Sequence, residues 1–163
     1  MPTLTTQPLT RAAFAPFGQV IDTGGAAPLS VNDGRAERFH DLARIEFAGP
    51  HPRPLLSIFR SKPVAMPYTL TFLERHPLGS QAFHPLSPRP FLVIVAPDDG
   101  GVPGTPLAFV TAPGQGVNYA TGTWHGALAP LDEVSEFLII DRGGDGNNLE
   151  IHTLETPVTV TLG

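Results

Sequence analysis

Glu74 and His76 stand two residues apart within TFLERHPLGSQAFHPL, residues 71–86. On one extended segment, side chains two apart project to the same side, so a carboxylate and an imidazole would share one space. Gln81 follows the PLG turn, which predicts that it returns on the neighbouring strand opposite them. A second imidazole, His125, comes just after the glycine-marked turn of GVNYATGTWHG. Two imidazole nitrogens, a carboxylate oxygen and an amide oxygen are suitable ligands for a borderline or hard divalent ion. The same residues also have ordinary roles open to them. His76 can end a strand before Pro77, and His125 can donate to a main-chain carbonyl beside Trp124.

Other residues could complete such a site. With only 10 Lys and Arg in the chain, each arginine near an apolar run stands out. A guanidinium at a strand end can clamp a small carboxylate through two parallel hydrogen bonds. Arg60 and Arg142 are the expected clamps, the latter beside Asp141 where the strand EFLII runs into GGDGNN. His40 can act as an acid or base only if its segment curls inward, and its neighbour Asp41 would face the opposite way. Asn118 and Tyr119, just ahead of His125, are further expected substrate contacts. His51 and His152 have no convergent neighbours. No glycine-rich phosphate loop, nucleophile elbow or HExxH pattern occurs, and the absence of cysteine removes thiolate chemistry and disulfides.

The elements that must position these groups are short. QVID, PLLSIFRSKP, YTLTFLERH, RPFLVIVAP, TPLAFVTAPG, VSEFLIIDRGG, LEIHTL and PVTVTL are apolar, β-branched or aromatic runs bounded by Pro or Gly. ARIEFAG alternates like a half-exposed strand, and Asn32-Asp33-Gly34 signals a turn. Thr10 is placed to cap one helical turn over 11–15 that Pro16 and Gly18 end. No stretch supplies the crossover helices of a parallel sheet, so the expected fold is all-β: a sandwich, barrel or jelly roll with a few short helical turns.

At 163 residues the chain is expected to form a single domain over 1–163 with a sizeable core. Its formal charge of −5 offers no bulk attraction to a polyanion, so nucleic acid is not an expected partner. The first residues lack the cationic head and apolar run of a signal peptide, and no apolar stretch approaches the ~20 residues that span a bilayer. The expected location is the cytoplasm, away from membranes.

Taken together, NDGRAERFHDLA, ERHPLGSQAF, GQGVNYATGTWHG and FLIIDRGG, in this order, resemble the ureidoglycolate lyase family. The resemblance implies a cupin-like double-stranded β-helix, that is, a jelly-roll barrel. Against the usual cupin ligand pattern, Glu74 stands where the first His would be, His76 matches, Gln81 takes the Glu position and His125 matches the last His. Ala120 replaces the usual Pro of the second motif, while Gly114 and Gly122 match. The resemblance further implies cleavage of (S)-ureidoglycolate to glyoxylate and urea in allantoin and purine breakdown, a homodimer, and nickel in some members. His125 or Glu74 is then the expected base, with His76 holding or polarising the substrate. With a divalent ion bound, Glu74, His76, Gln81 and His125 become its ligands. The alternative is a non-catalytic cupin-like protein that binds a small carboxylate.

Overall fold

The computed structural model describes all 163 residues. The chain opens with β1 (Thr3–Thr5), β2 (Gln7–Pro8), the one-turn helix α1 (Arg11–Phe14) and β3 (Gly18–Ile21). A small hairpin of β4 (Leu29–Val31) and β5 (Ala36–Arg38) follows, then the long strands β6 (Arg53–Ser61), β7 (Tyr68–Arg75), β8 (Gln81–Pro85) and β9 (Phe91–Ala96). Beyond the short pair β10 (Asp98–Asp99) and β11 (Val102–Pro103) come β12 (Leu107–Val110), β13 (Gly116–Tyr119), β14 (Trp124–His125) and β15 (Ala129–Pro130). β16 (Ser135–Gly143) and β17 (Glu150–Thr161) close the chain.

Two sheets face each other as a cupin-like β-barrel. One runs β1-β17-β7-β14-β9-β12-β2, with β15 also on β9; the other runs β3-β13-β8-β16-β6. Pairings within them are antiparallel except β1 with β17 and β2 with β12. The barrel interior is filled from both sheets by Phe83, Phe91, Val93, Val95, Phe137 and Ile139, among others. Each strand contributes alternate residues to it, as the pleat requires. β9 is buried at all six positions because its second face, Leu92, Ile94 and Ala96, lies in another apolar cluster with Leu70, Leu73 and Trp124. That double burial explains why FLVIVA reads as an unbroken apolar run.

Thr10 caps α1 as its position predicts, its hydroxyl accepting from Ala13 N at 3.2 Å. Asn32, Asp33 and Gly34 all take left-handed φ at the β4–β5 turn. Two expectations about the elements fail. ARIEFAG is not a strand: it keeps a single bridge, Phe47 to Gly79, and lies as a loop held by main-chain bonds to Leu78 and Ser80 and by side chains. LEIHTL and PVTVTL form one strand, β17, whose register on β7 shifts between Thr153 and Val158. No helix is long and apolar enough to cross a membrane.

Candidate active site

The end of β7 and the two residues of β14 build one end of the barrel. Glu74 sits directly opposite His125 in the β7–β14 register, and His125 in turn faces Val95 of β9. His76 lies one residue beyond β7, and its carbonyl accepts from Gly122 N at 2.9 Å, so the turn before Trp124 is fastened to the segment after β7. Gly122 holds φ +76°, a left-handed conformation that favours glycine. The outcome is a cluster: the ligand atoms of Glu74, His76 and His125 all lie within 4.8 Å of one another. The two imidazole centroids are 5.2 Å apart.

Both rings are aimed by main-chain carbonyls. His76 Nδ1 lies 2.8 Å from Asn148 O, and His125 Nδ1 lies 3.0 Å from Gly126 O. A carbonyl only accepts, so each Nδ1 carries the proton and each Nε2 is left with a bare lone pair. Both Nε2 atoms are buried and without any partner. Gln81 is oriented in the same manner: its Nε2 donates to Asp141 Oδ2 at 3.2 Å, leaving a buried and unpartnered Oε1. A carboxylate, two imidazole lone pairs and an amide oxygen therefore sit at one end of the barrel as acceptors. Buried acceptors without a donor are costly, and a divalent cation is the group that satisfies such a set. The side-chain chemistry present fits one, including the hydrogen-bonded outer nitrogens that metal-ligating imidazoles show.

Tyr119 stacks face to face on His125, with centroids 4.3 Å apart and planes 6° from parallel. Burial, and then the charge of Glu74, push its phenol above the ordinary range, so it stays protonated. Burial drives His125 down to about 3; the Gly126 carbonyl opposes this and His76 reinforces it. His125 is a neutral imidazole at any physiological pH.

The structure gathers some expected residues and disperses others. Glu74, His76 and His125 converge, with Tyr119 on one ring. Gln81 is not a hairpin neighbour of Glu74. β8 belongs to the other sheet and pairs with β13 and β16, where Gln81 stands opposite Tyr119. Asp141 alternates with the core residues Phe137 and Ile139 and so faces inward, where it holds Gln81.

Asn118 faces the other way from Tyr119. Its amide donates to Gln19 Oε1 and Arg44 O at 2.9 and 3.0 Å, which makes it a loop anchor and not a substrate contact. Arg142 is likewise no free clamp. Its guanidinium donates to Ala48 O, Pro50 O and Asp145 O at 2.6, 3.0 and 2.7 Å, all main-chain carbonyls. Arg60 pairs with Glu136 Oε2 at 3.1 Å on the exposed outer face. That pair is five residues along β16 from Asp141, roughly 17 Å away. His40 is exposed in the loop after β5, outside the cluster.

Asn148 is the residue that sequence reasoning missed. Beyond its carbonyl on His76, its side-chain Oδ1 accepts from Leu78 N at 2.8 Å. GGDGNN reads as a glycine-rich loop after a strand, and its only signal was the pair of asparagines that ends it.

Comparison with known proteins agrees with this geometry. The ureidoglycolate lyase family model matches residues 1–161. A ureidoglycolate lyase of Mesorhizobium japonicum is 59% identical over 150 residues, 92% of each chain. One from a Chelativorans species is 54% identical over 156 residues, 96% of this chain and 94% of the relative. One from Burkholderia mallei is 53% identical over 161 residues, 99% and 95% of the two chains. With a family model spanning nearly every residue and relatives above half identity, this chain belongs to the ureidoglycolate lyase family.

Proposed function

We propose that this chain is a ureidoglycolate lyase that cleaves (S)-ureidoglycolate to glyoxylate and urea. The observation that carries the reading is the convergence of one ligand atom each from Glu74, His76 and His125 within 4.8 Å, in a chain of this family. The relatives' names favour turnover over a protein that only binds a small carboxylate.

In this reading Glu74, His76 and His125, with Gln81 Oε1, hold a divalent cation; nickel is the ion the resemblance suggests. When bound, such an ion polarises an oxygen of the substrate toward ionisation. The remaining work belongs to the chain. The substrate's hydroxyl proton must leave as the C–N bond breaks, and a proton must reach the departing nitrogen. Glu74 is the group for both transfers, because it is the one carboxylate in the cluster and a carboxylate can take up a proton and give it back. A positioned proton transfer of this kind contributes ~10²–10⁴ in rate. Tyr119 supplies a donor beside a cluster otherwise made of acceptors, which suits the substrate's carboxylate now that Arg60 and Arg142 are committed elsewhere. His125 and His76 are the neutral ligands, each fixed by its carbonyl.

The same reading has the protein acting on this small molecule as a cytoplasmic homodimer, without nucleic acid. The test is a product assay. Urea and glyoxylate should appear in equal amounts without oxygen uptake, cease on chelation and return with added metal. Tight substrate binding with no product would leave the carboxylate-binding alternative standing.

A further inference from the structure

Phe137 and Ile139 of β16 point into the core, and Asp141 is next in that alternating series. It brings a second carboxylate to the end of the barrel that holds Glu74. Its neighbour Arg142 turns outward and is spent on main-chain carbonyls, so it does not neutralise Asp141. None of the chain's ion pairs involves Asp141. Its one partner is the Gln81 amide, which donates to Oδ2 at 3.2 Å. Asp141 Oδ1 accepts from nothing, and unlike Gln81 Oε1 it is not sealed from solvent. A half-buried carboxylate with one amide donor and no cation is short of partners.

Gln81 places this carboxylate beside the cluster. It stands opposite Tyr119 in the β8–β13 register, and both side chains face inward, which sets their Cβ atoms about 4.5–5.5 Å apart. Tyr119 lies in turn on the ring of His125, with centroids 4.3 Å apart. Asp141 therefore flanks Glu74, His76 and His125 from the opposite sheet, one side chain removed. A neutral donor of the right shape would complete it. A ureido group is one: its secondary N–H and terminal NH2 lie parallel along one edge, a fork like that of a guanidinium without the charge. A carboxylate accepts both prongs of such a fork, and its ionised oxygens bind each more strongly than a neutral acceptor does.

We propose that Asp141 receives the ureido N–H groups of the substrate, and so selects a ureido group over an acyl group of the same size. The lack of an arginine partner is what leaves its oxygens open to the substrate. With Tyr119 on the carboxylate end and Asp141 on the nitrogen end, the molecule lies one way round only. The assignment rests on the lyase reading above for the identity of the substrate, and adds the group that recognises its nitrogen end.

Two isosteric analogues test it, titrated calorimetrically into the full chain with nickel present. N-carbamoylglycine is the substrate without its hydroxyl, and N-acetylglycine has a methyl group where the terminal NH2 stands. The wild type should bind the carbamoyl compound about 10- to 100-fold more tightly, the range for a hydrogen bond to a charged group. Asp141→Asn keeps an acceptor for Gln81 but turns the free oxygen into a donor, so it should erase that preference with nickel content unchanged. Asp141→Ser makes the same comparison should the isostere not fold. A wild type that binds both analogues alike, or neither, overturns the assignment before any variant is made. So does a folded variant that keeps the preference, including one that loses both analogues by the same factor, since Asp141 would then act only through Gln81. Urea and glyoxylate are measured on the same samples. Product formation alongside a preference that survives Asp141→Asn overturns this assignment alone; a preference that Asp141 controls, without any product, overturns the lyase reading alone.

Discussion

Tyr119 and His125 lie ring on ring, 4.3 Å apart and 6° from parallel, although one belongs to β13 and the other to β14 in the opposite sheet. The stack spans the barrel interior at the level of Glu74. It gives the phenol two separable jobs: a flat surface that fixes the imidazole, and a hydroxyl.

Tyr119→Phe separates those jobs. The ring stack survives and the donor is lost, so kcat should drop about 10²- to 10³-fold, the range for losing one preorganised donor, with bound metal unchanged. Tyr119→Leu should lower both kcat and metal content. Steady-state kinetics with elemental analysis of the same samples checks it. Equal effects of the two substitutions on metal content would assign the hydroxyl no role of its own.

His125→Ala should remove turnover and metal together without unfolding the domain. Wild-type protein should gain thermal stability on adding nickel after chelation, because a ligand that binds only the folded state raises Tm by mass action. The variant should show no such gain. A His125→Ala protein with near-normal kcat would take this imidazole out of the mechanism.

The pH dependence of the chelated protein follows from His125. Folded, it does not protonate until about 3, whereas the unfolded chain takes up a proton near the ordinary 6.5. Below pH 6.5 the unfolded state thus binds more protons, and stability falls as pH drops toward 3, by roughly 1 kcal/mol per pH unit. His84, lowered by burial, adds in the same direction. Above pH 6.5 neither group contributes a slope. Denaturant midpoints across pH 3–8 should show this decline, and His125→Leu should flatten it.

Arg142 and Arg60 give opposite expectations to those of a carboxylate clamp. Arg142→Ala removes a buried guanidinium that ties down the main-chain carbonyls of Ala48, Pro50 and Asp145 and should cost on the order of 1–3 kcal/mol of stability. Arg60→Ala removes an exposed ion pair worth about 0–1 kcal/mol and should leave both stability and KM unchanged. Thermal melts and KM for ureidoglycolate distinguish these outcomes. A large rise in KM for Arg60→Ala would restore it to the site.

Alternation and punctuation made most of the strands legible, and the motif order pointed to the family. Glu74, His76 and His125 could be chosen among 6 His and 15 Asp and Glu because of their spacing and their match to the cupin ligand pattern. Which face a residue presents was harder to foresee. Asn118 and Tyr119 are neighbours with similar credentials, yet the pleat sends one to the loop and the other into the barrel interior. Arg142 looked free because its partners are main-chain carbonyls of 48–50 and 145, which no side-chain pattern announces. ARIEFAG had strand periodicity, but its side-chain anchors, Asn118 Nδ2 on Arg44 O and Ser80 Oγ on Glu46 N, come from distant segments. Gln81 was misplaced for a related reason: a Pro-Leu-Gly turn can join two sheets as well as two paired strands.

The steering of His76 and His125 by peptide carbonyls bears on how the centre can be retuned. In sites where a carboxylate side chain orients the imidazole, exchanging that side chain adjusts ligand basicity in a single step. Here the acceptors are Asn148 O and Gly126 O, which every amino acid supplies identically. Codon changes at those two positions leave the acceptor itself in place, so altering ion preference would demand shifting the main chain of the 143–149 loop or of the turn after Trp124. Insertions and deletions there, and not point libraries, are where a different selectivity would have to be sought.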